Sequence, residues 1–166
     1  MAETEEEIAA LTGAELLKIA DRVVRDGLRE HLLRPERHLR NWDYGAKDDK
    51  FPCWTIASDV TSDTAIVYSD HGFGPAHPWG LVSLSNLWFG MDSGWFQRLE
   101  DAFVGSSFGG GLAIWDVVSR EGRQSRVLAA SLTLTPAFAK RDELSAQHPG
   151  AAFHVVYRSL PEAGVP

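Results

Sequence analysis

Between Gly13 and Leu32 the apolar residues Leu16, Leu17, Ala20, Val23, Val24, Leu28 and Leu32 recur at helical spacing, with Lys18, Asp21, Arg22, Arg25, Asp26, Arg29 and Glu30 on the other side. That period predicts an amphipathic helix laid on a sheet. Thr12 stands where an N-cap is wanted, Glu15 follows three residues later, and Pro35 lies just past the end. From Glu36 to Lys50 the chain is polar and without period, so a loop is expected there, anchored by Leu39, Trp42 and Tyr44.

Alternation takes over next. Residues 52–58 read as a strand with Trp54 and Ile56 on one face, and 64–68 as its return, the two joined by a Thr61-Ser62-Asp63 turn into a hairpin. Leu81 to Leu84 adds a short strand. Asp92 or Ser93 is the expected cap of a second helix reaching Val104, with Trp95, Phe96, Leu99, Ala102 and Phe103 as its buried stripe. Strands are expected over 112–119 and 126–134, turned by Glu121-Gly122-Arg123. Thr135-Pro136 opens a short third helix, and 152–158 closes the fold as a strand. This order predicts an α+β fold: one domain over 12–160, a mainly antiparallel sheet, and helices packed on one face. Residues 1–11 are expected to be a flexible acidic segment, and 161–166 a frayed tail.

The stretch from Tyr68 to Phe96 breaks both periods. It crowds Gly72, Gly74, Pro75 and Pro78 among Phe73, Trp79, Trp88, Phe89, Trp95 and Phe96. A ring buries about 150–250 Å² when covered, too much apolar area for a mobile loop to leave in water. The loop is therefore expected to be ordered against the sheet. Core filling is the commoner use of such rings, and a binding surface the rarer one. Phe73, Trp79 and Trp88 are the candidate binding residues, because exposed tryptophans anchor protein interfaces.

Charge narrows the partners. The net charge of −7 argues against nucleic acid and anionic membranes and is compatible with a basic protein partner, although Glu3, Glu5, Glu6 and Glu7 place four of the acids at the N-terminus. With 44% hydrophobic and 23% charged residues the composition is that of an ordinary globular protein. Cys53 is the single cysteine, so no intrachain disulfide forms; a reducing, cytoplasmic setting is expected. No apolar run approaches the ~20 residues that span a bilayer, and the acidic N-terminus is not a signal peptide.

Chemical motifs are weak. Asp70, His71, His77 and Asp92 carry metal-binding atoms, but their spacing fits no ligand pattern, and neither metal nor cofactor is expected. Asp70, His71 and His77 remain the candidates for a polar site in an enzyme or small-ligand binder, with Gly109–Gly111 as its flap. Gly105-Ser106-Ser107-Phe108-Gly109 matches the G-x-S-x-G pattern, with Asp116 and then His148 or His154 following. That chemistry needs a strand before the serine and a helix after it, and the reverse order is expected here.

Short, acidic and tryptophan-rich, the chain resembles in size and charge the small bacterial immunity or antitoxin-like proteins that neutralise a partner by stoichiometric binding. The likeness covers no diagnostic motif and carries over no residue roles. A protein-binding module is the first functional expectation, the polar site the alternative, and a homo-oligomer through an exposed apolar face a third.

Overall fold

The structure, a computed structural model, describes residues 4–158 apart from 47, 72, 91, 92, 122 and 123. Asp92, the tip of the 121–123 turn and the 161–166 tail thus lie outside the described residues. The chain begins with α1 (Glu5–Lys18) and α2 (Arg22–His31), then β1 (Leu32–Trp42), β2 (Phe51–Asp59), β3 (Thr64–Tyr68), β4 (Trp79–Ser83), β5 (Trp88–Phe89) and β6 (Gly94–Phe96). There follow α3 (Leu99–Val104), α4 (Ser107–Gly110), β7 (Trp115–Glu121), β8 (Gln124–Leu132), α5 (Leu134–Gln147) and β9 (Phe153–Tyr157). The α+β expectation holds.

The helix expected over 13–32 is two helices. α1 starts at Glu5, within the segment expected to be flexible, because Thr4 and Glu7 form a complete capping box. Ile8, in the second turn, is fully buried. Thr12 is no cap: it lies inside α1, buried, with Oγ1 unpartnered. The stripe breaks at Asp21, whose Oδ1 accepts from Val23 N at 2.8 Å and caps α2.

The second correction is β1, which takes in residues 36–42 of the expected 36–50 loop. Its inward positions include His38, Arg40 and Trp42, so charge hides the strand's apolar face, and a register shift between Leu32 and Glu36 interrupts the alternation. The third is β6. Gly94, Trp95 and Phe96 pair with β4 instead of opening a helix, and α3 begins only at Leu99.

The larger sheet has the order β5-β1-β2-β3-β4-β6, antiparallel throughout except where β5 runs parallel to β1. Its two ends nearly meet. Phe89 of β5 and Trp95 of β6 stand at opposite ends of that order, yet their ring centroids are 5.5 Å apart. The sheet is therefore curled, and these rings lie on its concave side.

Each face has its own core. The convex face presents Trp54, Ile56, Ile66 and Trp79 to Ile8, Leu16, Leu28, Leu99 and Phe103 of the helices. The concave face holds Cys53, Ala65, Val67, Val82 and Phe89 under Trp42, Phe51, Leu84 and Trp95. Helices cover one face, as expected, and rings close the other.

A second sheet, β8-β7-β9, is antiparallel and carries α5. It is fastened to the helical layer by side chains. Arg158 Nη2 donates to Asp21 Oδ2 at 3.1 Å, and Tyr157 OH donates to Glu100 Oε1 at 2.7 Å.

Candidate functional site

The 68–96 stretch is the seam of the curled sheet. It leaves β3 at Tyr68, returns as β4, crosses to β1 as β5, and ends in β6 beside β4. Short polar contacts fix each corner. Ser69 Oγ donates to Pro52 O at 2.9 Å, and Asp63 accepts from Ser83 Oγ at 2.6 Å, Ser85 Oγ at 2.8 Å and Ser85 N at 2.9 Å. These bonds hold the Asp63 carboxyl below the usual range, the Ser83 and Ser85 hydroxyls contributing most.

The rings form one continuous chain. Tyr44 meets Trp42 at 5.6 Å, Trp42 meets Phe51 at 5.6 Å, Phe51 meets Phe89 at 6.4 Å, and Trp95 meets Phe73 at 6.4 Å. Gly80 makes this closure possible: a Cβ there would come within 2.8 Å of the Trp95 ring, which lies flat on the bare backbone.

Beneath the rings are polar atoms without partners. Arg40 Nε, Trp42 Nε1, Thr55 Oγ1 and Trp95 Nε1 are buried and unpaired, and pairing register puts all four residues on the concave face. Arg40 Nη1 donates to Ser83 O at 2.9 Å and Asn86 O at 2.7 Å, so the guanidinium ties the crossing segment to β1. Burial lowers its pKa, opposed by the charges of Cys53 and Asp63. Cys53 is buried, its thiol pushed up to about 11 chiefly by burial, which leaves little thiolate for chemistry.

Of the polar candidates, Asp70 and His71 are adjacent. Asp70 Oδ1 and His71 Nδ1 are 2.9 Å apart, without the alignment of a hydrogen bond, and the His71 ring rests 5.0 Å from Phe51. His77 is exposed on a separate turn, its N–H bonded to Gly74 O at 3.0 Å. Among the described residues no three His, Cys, Asp or Glu side chains are grouped to hold a metal ion. The seam's cavity, lined by Asp43, Val82, Ser83, Asn86, Phe89 and Ser93, measures about 130 Å³. Small-molecule sites run to about 300–1,000 Å³, so this cavity is too small for such a ligand.

The G-x-S-x-G segment is equally plain. Ser107 opens α4, and its Oγ lies 3.0 Å from Asp59 Oδ2 and 2.8 Å from Ser62 Oγ. Asp116 is committed elsewhere, accepting from Ser131 N at 2.9 Å. Of the expected Gly109–Gly111 flap, Gly109 is buried against the Val104 backbone, where a Cβ has no room, while Gly111 is exposed.

The expected binding residues separate into two kinds. Trp79 is only 2% exposed and belongs to the convex core, packed 5.3 Å from Tyr68, so it is no surface anchor. Trp88 is 45% exposed and Phe73 54%. Trp88 is held in place: Asn41 N donates to Leu87 O at 2.9 Å, Asp43 N to Phe89 O at 3.1 Å, and Trp88 N to Asn86 Oδ1 at 3.1 Å. Beside it lie Leu87, 50% exposed, and Leu39, 48% exposed, the latter two residues before Asn41, the pairing partner of Trp88. Sequence reasoning missed Leu39 and Leu87, since they make an edge only when β1 is recognised as a strand. The turn after β1 adds exposed Tyr44 with the acids Asp43, Asp48 and Asp49.

The site is thus a sheet edge with exposed apolar side chains, Asp43 beside it and the Lys50 ammonium bonded to Asn41 Oδ1. No protein-family model, curated protein or solved structure matches this chain. Among the described residues no helix is long and apolar enough to cross a membrane.

Proposed function

We propose that this is a non-catalytic cytoplasmic module that captures a basic protein by stoichiometric binding, as immunity-type proteins do. The observation that carries the reading is Trp88, a half-exposed indole on a backbone-bonded two-residue strand between Leu39 and Leu87. A large ring presented rigidly loses little entropy on docking, and such rings dominate interface energetics. Asp43 lines the same cavity as Trp88, exposed Asp48 and Asp49 lie in the turn after β1, and the chain as a whole is acidic, which favours encounter with a positively charged surface.

The test is affinity capture at low salt from a lysate of the source cell, followed by reconstitution with the purified partner. A basic protein bound one to one supports the reading if Trp88→Ala weakens it tenfold or more and the double reversal Asp48→Lys, Asp49→Lys slows its association. Capture of nothing, or of a partner that Trp88→Ala holds equally well, overturns it.

A further inference from the structure

The geometry points to a second site, a slot between α5 and the three-stranded sheet that takes an amphiphilic monoanion: a carboxylate on an aliphatic or aromatic body. It is independent of the capture edge.

The slot follows from the poor fit of α5. The helix has fourteen residues, yet Ala137 is the only one of them that is buried. Phe138, which a tighter packing would turn inward, is exposed beneath the Arg141 guanidinium, 4.8 Å from its centroid. Leu144 and His148, at and just beyond the end of α5, line a gap against the sheet. The gap measures about 510 Å³, within the range of small-molecule sites.

Its lining is one-sided. Leu128 and Phe153 on the sheet and Leu144 and Ala151 on the covering segment supply apolar walls. Pairing register sets Arg126, Ser119 and Phe153 in one row across β8, β7 and β9. Arg126 therefore shares the face that α5 covers, and His148 stands at the end of the helix with its ring 6.3 Å from Phe153. Neither Arg126 nor His148 makes a side-chain hydrogen bond or ion pair with a described residue, a state shared with Arg37 and Arg120, whereas Arg22, Arg29, Arg34, Arg98 and Lys140 each have a carboxylate. None of the described lining residues is acidic, in a chain with seven more acids than bases.

An apolar body in the gap covers Leu128, Leu144 and Phe153, and a carboxylate at the mouth meets a guanidinium that has no acidic partner among the described lining residues. A neutral ligand of the same shape gains the first interaction and not the second. A cation meets Arg126 head on. These differences set the class.

Isothermal titration with octanoate and, in parallel, 1-octanol decides it. Octanoate is expected to bind saturably, one per chain, with Kd below about 1 mM, and at least tenfold more tightly than octanol. Arg126→Gln, at an exposed position that leaves the fold intact by circular dichroism, is expected to weaken octanoate about tenfold and leave octanol unchanged. Leu144→Trp, which fills the slot, is expected to abolish both. The inference is overturned by non-saturating octanoate heats, by octanol binding as well as octanoate, or by affinities that neither variant alters. Trp88→Ala leaves octanoate binding unchanged, so failure here and failure of the capture reading are read separately.

Discussion

The phenol of Tyr157 reaches from the last strand to the buried carboxylate of Glu100 in α3, donating a 2.7 Å hydrogen bond between the small sheet and the helical layer. Arg98 pairs with the other carboxylate oxygen, so Glu100 is satisfied from two sides. Removing one partner leaves a desolvated acceptor, which costs about 1–3 kcal/mol. Tyr157→Phe is expected to lower unfolding stability by about that amount in urea titrations; an unchanged midpoint would show the contact to be idle.

The same residue predicts an alkaline signature. Burial, reinforced by the Asp21 charge, raises the Tyr157 pKa from 10.0 to about 12. The native state then holds a proton that the unfolded chain releases first, so stability falls as pH rises between those two values. Chemical unfolding from pH 9 to about 12 should show this decline, less steep in Tyr157→Phe.

Two tryptophans on the same stretch should behave oppositely. Trp79, packed in the convex core, is expected to cost about 3–5 kcal/mol when truncated to alanine. Trp88→Ala, on the outer edge, is expected to stay within about 0.5 kcal/mol of the parent. Thermal unfolding of the pair measures both. Similar losses would mean the edge indole is structural, and with that the capture reading loses its anchor.

Gly80→Ala tests the closure of the concave face. Its Cβ would stand 2.8 Å from the Trp95 ring, forcing the indole off the sheet at about 1–3 kcal/mol, the usual cost of overpacking. Tryptophan emission should shift to the red as Trp95 meets water.

The first helix offers a fifth check. Ile8→Ala removes a fully buried side chain and is expected to cost about 2–5 kcal/mol, whereas loss of the Thr4 cap in Thr4→Ala costs about 1. If residues up to 11 were an idle tail, neither change would register in the denaturation midpoint.

Where side-chain period and burial agreed, the sequence was legible. The β2–β3 hairpin, the β7–β8 pair, α5 and β9 were all visible in alternation or turn chemistry, as was the one-sided placement of the helices. What defeated the reading was polar residues in apolar positions. Arg40 faces inward and satisfies two carbonyls of the crossing segment, so β1 carried no apolar alternation. Asp21 is a cap in the middle of a convincing helical stripe, and nothing in the stripe marks the break. Two capping boxes competed in the first fifteen residues; the one at Thr4 won because it brings Ile8 into the core. At the site, the rings could be counted from sequence, but which face each took depended on the curl, set by a contact between strands at opposite ends of the sheet.

The parallel junction of β5 with β1 bears on how the molecule assembles. Asn41 and Asp43 donate their amide hydrogens to Leu87 and Phe89, partners that arrive only after the intervening strands have been laid down. A latch of two residues, formed late and bounded by solvent, is the first part of the sheet to open. Those two amides should exchange with deuterium well before the amides of Trp54 or Val67, and each opening frees Trp88 from the frame that holds it.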